Sequence, residues 1–361
     1  MADPLVRIQG AGPVGILAAL FLVKYGWTPS SIELIDPALA DAQPAHADDP
    51  RILALSHGTL VRLAQLGIDC RPVRIQHIHV SAKGHLGAMD IKTGNVGVAD
   101  LGGLVSYSQL LTTLRERMQS DGIAAYASID VRPTALEPAI RVIAEGGIYQ
   151  AADRAHETQS MQTVRDYHQQ AVVGWVETET GPGPTAYERF TADGAVALLP
   201  MNHRYALIWC GANDQTQRFA QASPTAQCRM VDDIMGGRVP GICKVTITGS
   251  YPLGLKWRDT IAEHDTVWIG NSAQALHPIA GQGLNLGFRD AETLASCLLQ
   301  RGSSIADRLH DYARRRRVDR WTVRTATDTL ASAAWVRRAI GGVALVPGAK
   351  RLLGQILMYG G

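Results

Sequence analysis

Leu5-Val6-Arg7-Ile8-Gln9-Gly10-Ala11-Gly12-Pro13-Val14-Gly15 is a short apolar run that ends on three glycines. The stretch predicts a strand over Leu5 to Gln9, a tight turn, and a helix through Ile16 to about Tyr25. Gly10 would allow the turn, Gly12 would let a pyrophosphate come close, and Gly15 would pack the helix on the strand. A helix that starts there presents free amides and a positive dipole end to phosphates. A second strand, Ser31 to Ile35, ends at Asp36, where a carboxylate could accept hydrogen bonds from ribose hydroxyls. A lone glycine fingerprint is weak. Strand, fingerprint, helix, strand and acid in that order predict a dinucleotide-binding unit.

A second glycine-rich stretch lies near the other end, at Trp268-Ile269-Gly270-Asn271-Ser272-Ala273-Gln274-Ala275-Leu276-His277-Pro278-Ile279-Ala280-Gly281-Gln282-Gly283-Leu284-Asn285-Leu286-Gly287-Phe288-Arg289-Asp290. An apolar strand (Val267 to Ile269) enters a small-residue turn, and a helix runs out to about Leu299. Gly281, Gly283 and Gly287 could bring bare amides up to a flat anionic ligand, or they could serve tight packing alone. The fingerprint by itself does not separate a nicotinamide from a flavin cofactor.

The ordered set of the glycine fingerprint, Asp49-Pro50-Arg51-Ile52-Leu53-Ala54-Leu55-Ser56, Asp166-Tyr167-His168-Gln169-Gln170, Ala186-Tyr187-Glu188-Arg189-Phe190, Leu198-Leu199-Pro200, Tyr251-Pro252-Leu253 and residues 268 to 290 resembles the ubiquinone-biosynthesis hydroxylases. These are class A flavoprotein monooxygenases that hold one FAD, and the resemblance runs through nearly the whole chain. Most members carry Gly-Asp-Ala-Ala-His where this chain has Gly270-Asn271-Ser272-Ala273-Gln274, a variant similar to the 2-octaprenyl-6-methoxyphenol hydroxylase branch. Asn271 still offers a carbonyl oxygen to a ribityl hydroxyl. Glu145, in Ala144-Glu145-Gly146-Gly147, stands where the family has Asp. The interval from Ser120 to Glu145 leaves little room for the antiparallel meander usual in the family, so a pared-down cofactor domain is expected.

The resemblance implies an α/β fold, a Rossmann-like FAD-binding domain (1–72, 99–163 and 256–330) interleaved with a mainly antiparallel β-sheet substrate domain (73–98 and 164–255), and C-terminal helices in 331–361. It implies cofactor contacts from Gly10, Gly12, Pro13, Gly15, Asp36, Arg51, Gln109, Glu145, Gly270, Asn271, Pro278, Gly281, Gln282, Gly283, Leu284 and Asn285. It implies an aromatic-ring hydroxylase in which NADPH or NADH reduces FAD, O2 adds to the reduced ring, and the resulting flavin hydroperoxide hydroxylates a polyprenyl phenol. Two alternatives stay open: a hydroxylase of a small soluble phenol, and a non-catalytic accessory subunit of a ubiquinone-biosynthesis assembly. His277 and Pro278 are the flavin-proximal candidates, His277 for ordering the ring edge, a proton path or fixing the loop. The residues themselves name no catalytic acid or base.

The coarse pattern places a polar loop over Asp41 to Pro50 and a helix from about Ile52 to Leu66. Short alternating segments with glycine breaks from Val73 to about Val98, including Ile75-Gln76-His77-Ile78-His79-Val80, read as sheet of the substrate domain, Tyr107 to Ser120 as a helix, and Ala171 to Glu177 and Ala206 to Cys210 as strands about a Gly/Pro turn. His77 and His79 share a strand face, but no third ligand lies at a recognisable spacing, so no metal site is expected.

A chain of 361 residues suits two coupled cores, and a net charge of +2 gives no reason to propose nucleic acid as partner. Five scattered cysteines without a Cys-x-x-Cys pair fit reduced, mostly buried thiols in a cytoplasmic compartment. Gly15 to Val23 is apolar, but it contains part of the fingerprint, so it reads as a buried helix rather than an export signal. Arg314 to Arg317 reads as a solvated, salt-bridged face. The apolar residues of 331–361, set among Arg337, Arg338, Lys350 and Arg351, read as helices capping the core, with peripheral contact to an inner membrane as the alternative.

Overall fold

The fold is that of a computed structural model, which describes residues 3–40, 49, 51–85, 88–131, 137–146, 162–300 and 302–332. The loop 41–50, apart from Asp49, and the tail beyond 332 lie outside the described residues.

The first expected strand, β1 (Val6–Gln9), is the centre of a six-stranded sheet. It pairs in parallel with β2 (Ile32–Ile35) on one side and with β9 (Ile140–Ile143) on the other. Outward from these lie β8 (Ala124–Tyr126) beside β2, and β16 (Thr266–Trp268) beside β9, both parallel. A short antiparallel strand, β15 (Ala262–Glu263), closes the edge. Val6, Ile8, Ile32, Leu34, Ile140, Val142 and Val267 are wholly or almost wholly buried, as expected of parallel strands covered on both faces. Arg7 and Glu33 sit opposite one another on β1 and β2 and satisfy their buried charges as an ion pair.

Helix α1 (Pro13–Lys24) is buried from Gly15 to Leu22, which is why its sequence is apolar all round rather than on one stripe. It packs between α4 (Tyr107–Ser120) and α7 (Gly283–Leu298). Between β8 and β9 the described residues contain a 3-10 turn and no antiparallel meander, in line with the short interval in the sequence.

An eight-stranded sheet forms the second layer, in the order β17 (Gln274–Ala275), β14 (Ile242–Trp257), β10 (Gln162–Thr178), β13 (Arg204–Ala212), β12 (Ala195–Met201), β11 (Thr185–Phe190), β5 (His77–Ala82) and β6 (Ala88–Lys92). Every pairing in it is antiparallel except β11 with β5. Helices α5 (Asn213–Gln221) and α6 (Pro224–Met235) cover one face through Leu207, Trp209, Phe219, Val231 and Ile234. The opposite face meets the loop at 277–281, where Ile279 packs with Phe190 and Ala195.

One reading of the sequence needs correcting, and one is refined. Ile52 to Ser56 is not the start of a helix but a strand, β3 (Ile52–Ser56), which pairs with β7 (Gly102–Ser106). Ser56 then caps α2 (His57–Gln65) by accepting from the amide of Thr59. The alternating run at 75–80 is two strands: Ile75 ends β4 (Val73–Ile75), which joins β7 and β3 in a small sheet, while His77 begins β5 in the large one. Gln76 is the crossing point, and its amide is held by the Pro184 carbonyl at 3.1 Å. A short helix, α3 (Thr93–Val96), follows β6, and a long one, α8 (Ile305–Ser332), follows α7.

Candidate dinucleotide site

Strands β1, β2, β9 and β16 run in one direction, so their C-terminal ends share an edge of the sheet. That edge collects the Gly10–Gly15 turn, Asp36, Glu145 and the Gly270–Ser272 turn. Open parallel sheets bind their ligands at such an edge.

The glycines of the two stretches divide by what a side chain would meet. A Cβ on Gly15 would lie 1.9 Å from the Gly10 carbonyl oxygen, and one on Gly10 would lie 2.8 Å from the Ala144 carbonyl. A Cβ on Gly287 would lie 2.8 Å from Val14, which fixes α1 against α7. Gly281 turns the chain through a φ of +59°. These four are explained by packing or by backbone conformation. Gly12 and Gly283 are not: a Cβ on Gly12 would meet only the Tyr107 hydroxyl at 3.9 Å, and one on Gly283 would meet nothing within 4 Å. Both sit at helix N-termini with bare backbone facing open space, which is the cradle that a pyrophosphate and a flat anionic ring require.

Asp36 accepts from the amides of Ala11 at 2.7 Å and Ala38 at 2.9 Å, one on each carboxylate oxygen. Each oxygen keeps a lone pair for a ribose hydroxyl. Asn271 is exposed, with its amide nitrogen beside Gly146, so Asn271 and the Glu145-Gly146 pair form adjoining parts of the rim. Glu145 itself is half-buried.

Arg51 and Gln109 part company. The Arg51 guanidinium stacks 4.0 Å from the Tyr107 ring and pairs with Asp49, which places it beside Gly12 by way of Tyr107. Burial alone would lower the Arg51 pKa, but the Asp49 carboxylate outweighs it and holds the group above its ordinary value. Burial pushes the Tyr107 hydroxyl up, against the pull of Arg51. Gln109 instead spends its side-chain amide on the Cys70 carbonyl at 2.9 Å. Tyr107, two residues earlier on the same helix, is the group near the fingerprint.

The second loop is fixed from several sides. The Asn285 side chain, nearly fully buried, donates to the carbonyls of Ala54 and Gly281 and accepts from the Ser56 amide and the Thr59 hydroxyl. Its side chain is thereby committed to the protein, so only its backbone amide is left for a ligand. His277 accepts the Ile279 amide at Nδ1 (3.1 Å), which puts its proton on Nε2, facing the Gln169 side-chain Oε1 at 3.0 Å. Tyr167 packs edge-on to the His277 ring at 5.1 Å and donates to Asp328 on α8. These contacts tie His277 to its own loop and to the large sheet. Pro278, Gln282 and Leu284 are half-buried along the same loop.

Beneath the loop lies a buried charge network that sequence spacing did not reveal. Asp290, with no exposure, accepts from the Gly270 amide, the Gln274 side chain and Arg316. Arg316 also pairs with Asp319 at 2.6 Å, and Asp319 with Arg289 at 2.8 Å. The reading of Arg314 to Arg317 as a solvated face is therefore wrong at Arg316, which is 4% exposed. Arg314 and Arg315 do pair with Asp311 at the surface. The flanking carboxylates raise Arg316 against the effect of burial, and the arginines hold Asp319 low. Gln274 links this network to Arg320, whose Nε donates to its oxygen. Only the invariant pitch of a long helix could have hinted that one arginine in four turns inward.

His77 and His79 do gain a third neighbour. Asp90 on β6 lies 2.6 Å from His77 Nε2 and 2.9 Å from His79 Nδ1, three ligand groups close enough for an ion. Arg238 donates to His79 Nε2 at 3.2 Å, which leaves the His79 proton on Nδ1 and sets a cation beside the cluster. That arrangement suits a hydrogen-bonded cluster better than a dication. The histidines hold Asp90 below its ordinary pKa, against a partial burial that would raise it. All five cysteines are free, and burial pushes Cys210 up to about 12 and Cys297 up to about 11. Cavities of about 300 Å³ (Arg7, Gln9, Arg141) and 430 Å³ (Leu60, Cys70, Arg74) involve neither glycine loop.

No family profile matches the chain. A 3-demethoxyubiquinol 3-hydroxylase of Escherichia coli is 26% identical, the match covering 90% of this chain and 88% of the relative. The mitochondrial ubiquinone biosynthesis monooxygenase COQ6 of Caenorhabditis elegans is 24% identical over 81% of this chain and 78% of the relative. The ubiquinone hydroxylase UbiL of Rhodospirillum rubrum is 30% identical, but over 52% and 44% of the two chains. Among solved structures, a flavoprotein/dehydrogenase of Cytophaga hutchinsonii superposes with a TM-score of 0.76 at 12% identity, covering 98% of this chain and 92% of that one. PqsL of Pseudomonas aeruginosa, a probable FAD-dependent monooxygenase, gives 0.72 at 17% identity over 94% and 98%. The chain is thus a relative of the ubiquinone-biosynthesis hydroxylases, matched over nearly its whole length and carrying the Rossmann-type fold of FAD-dependent monooxygenases.

Proposed function

We propose that the chain is an FAD-dependent aromatic-ring hydroxylase acting on a polyprenyl phenol of ubiquinone biosynthesis, with NADPH or NADH as electron donor and O2 as co-substrate. Relatedness over most of the chain to hydroxylases of that pathway supports the reaction class. The observation that carries the site is the pair of glycines, Gly12 and Gly283, whose bareness the protein itself does not use. When bound, FAD supplies electron acceptance from the nicotinamide and activation of oxygen for insertion into an electron-rich ring.

The chain's own residues bind, orient and exclude water. Gly12 and the first turn of α1 would receive the pyrophosphate, Asp36 the ribose, and Arg51 on Tyr107 would shield the phosphate edge. Asn271 and Glu145 would line the rim. Amides of Gly283, Leu284 and Asn285 at the start of α7 would hold negative charge on the ring, with Pro278 as one wall. His277 and Gln169 would keep that wall in place against the sheet.

No described helix is long and apolar enough to cross a membrane. A polyprenyl substrate partitions into the bilayer, so we propose a cytoplasmic protein that meets the inner membrane peripherally, alongside other ubiquinone-biosynthesis proteins. The test is turnover by the purified full chain with a prenylated phenol. Substrate-dependent NAD(P)H oxidation with one atom of labelled O2 in the product supports the reading. Oxidation that no phenol stimulates, soluble or prenylated, in a protein that holds FAD, rejects the hydroxylase in favour of an accessory role.

A further inference from the structure

The face of the large sheet turned toward the His277–Gly281 loop carries one feature that the cofactor site does not use. In register across four strands, Glu188 on β11 lies opposite Ala197 on β12, Ala197 opposite Ile208 on β13, and Ile208 opposite Val173 on β10. Direct cross-strand neighbours point to one face of a sheet. The adjacent row on that face, Phe190, Ala195, Cys210 and Ala171, is buried, and Ile279 of the loop packs on its Phe190 and Ala195. The row that holds Glu188 is buried on its β5 and β6 side, at Val80 and Met89, but toward β10 it is not sealed: Val173, Ala197 and Ile208 are half-exposed, as are Trp175 and Leu199 one step further on. An apolar strip that stays half-open between two packed layers is the wall of a cleft.

Glu188 is the carboxyl in that strip. It has no hydrogen-bond or ion-pair partner among the described residues, and burial is the cause of its upward pKa shift, to about 8. The side chain is partly reachable from solvent and yet crowded by protein, as expected of a group that lines a concavity. The ionisable groups presented around it on this face are the Cys210 thiol on β13, which feels its charge, Tyr251 on β14, Arg204 at 3.6 Å over the Trp175 ring, and His277 from the loop. A carboxyl left unpaired in an apolar cleft is costly for the fold unless a ligand completes it.

We propose that Glu188 receives the hydroxyl of the substrate phenol, with the aromatic ring and its hydrocarbon chain laid along the apolar strip of Val173, Trp175, Ala197, Leu199 and Ile208. In the step it performs, the phenol O–H bond breaks, the proton passes to the Glu188 carboxylate, and the electron pair stays on oxygen as phenolate. The ring carbons ortho and para to that oxygen become more electron-rich, which is what electrophilic oxygen insertion needs. A carboxyl whose pKa sits near the working pH is suited to that transfer. The substrate class rests on the hydroxylase reading; the placement of Glu188 rests on the strand register.

The experiment compares the full chain with Glu188→Gln and Glu188→Asp, using 2-geranylphenol and its methyl ether as probes and Trp175 fluorescence as a binding readout that needs no turnover. The wild type should bind the phenol about ten- to a hundredfold more tightly than the ether. Glu188→Gln should lose most of that preference, and Glu188→Asp should restore part of it. Stability supplies a second readout. Between its ordinary value of 4.5 and about 8, Glu188 holds a proton in the folded chain that the unfolded chain has lost, so stability falls as pH rises through this window. Glu188→Gln removes that loss, and its Tm advantage over wild type should grow from pH 5 to pH 8. An unchanged phenol-over-ether preference in Glu188→Gln, or no binding of either probe by the wild type, overturns the proposal even if the enzyme turns over. A phenol preference that depends on Glu188 in a protein without turnover keeps the proposal and rejects the hydroxylase reading.

Discussion

Glycines that look alike in the sequence have different reasons for being glycine, and substitution should separate them. Gly287→Leu forces a side chain into Val14 and the Gly270 backbone, and overpacking of that kind costs about 1–3 kcal/mol or more. Gly283→Leu places its side chain in open space at the start of α7, so the melting temperature should stay close to wild type while FAD binding is lost. Thermal melts with and without added FAD check both outcomes. Arg316 offers a second contrast at this scale. Arg316→Ala leaves Asp290 and Asp319 buried with one cation fewer, and breaking such a network costs about 3–5 kcal/mol. Arg314→Ala, on the same helix but at the surface, should change stability by less than about 1 kcal/mol, as urea denaturation of the two variants would show.

Elements differ in how far the sequence announces them. The β1–α1–β2 unit is legible because glycine spacing, a Pro at the helix start and a terminal acid all follow from backbone geometry that one segment decides for itself. Strand β3 is not legible: Ile52-Leu53-Ala54-Leu55 fits a helix until β7 supplies its ladder from fifty residues away. The same holds for the split at Gln76, where one alternating run is divided between two sheets by distant partners. The loop at 277–281 combines both cases, since its glycine is visible in the sequence but its fixing by Asn285 and Gln169 is not. Asn285→Ala strips four hydrogen bonds at once and should destabilise the chain by about 1–3 kcal/mol. Hydrogen exchange should then quicken first at the Ser56 and Thr59 amides, where α2 and α7 meet.

Across the whole molecule, the loop at 277–281 leads into α7 and touches the face of the large sheet through Ile279 and His277. The parallel sheet edge gathers Gly12, Asp36, Glu145 and Asn271, and the antiparallel sheet turns Gln169, Glu188 and a half-open apolar strip toward the same loop. The trimmed interval between β8 and β9 leaves the parallel sheet without a meander among the described residues, and its edge still brings the Gly10–Gly15 turn, Asp36, Glu145 and Asn271 together. The most direct test is the visible absorption spectrum of the purified full chain after incubation with FAD, with the bound flavin released and quantified, for wild type and Gly283→Leu side by side. One FAD per wild-type chain and none in the variant, at equal melting temperatures, is the predicted result. A wild-type chain that stays colourless, or a variant that binds FAD as well as wild type does, would contradict the assignment of this edge as the flavin site.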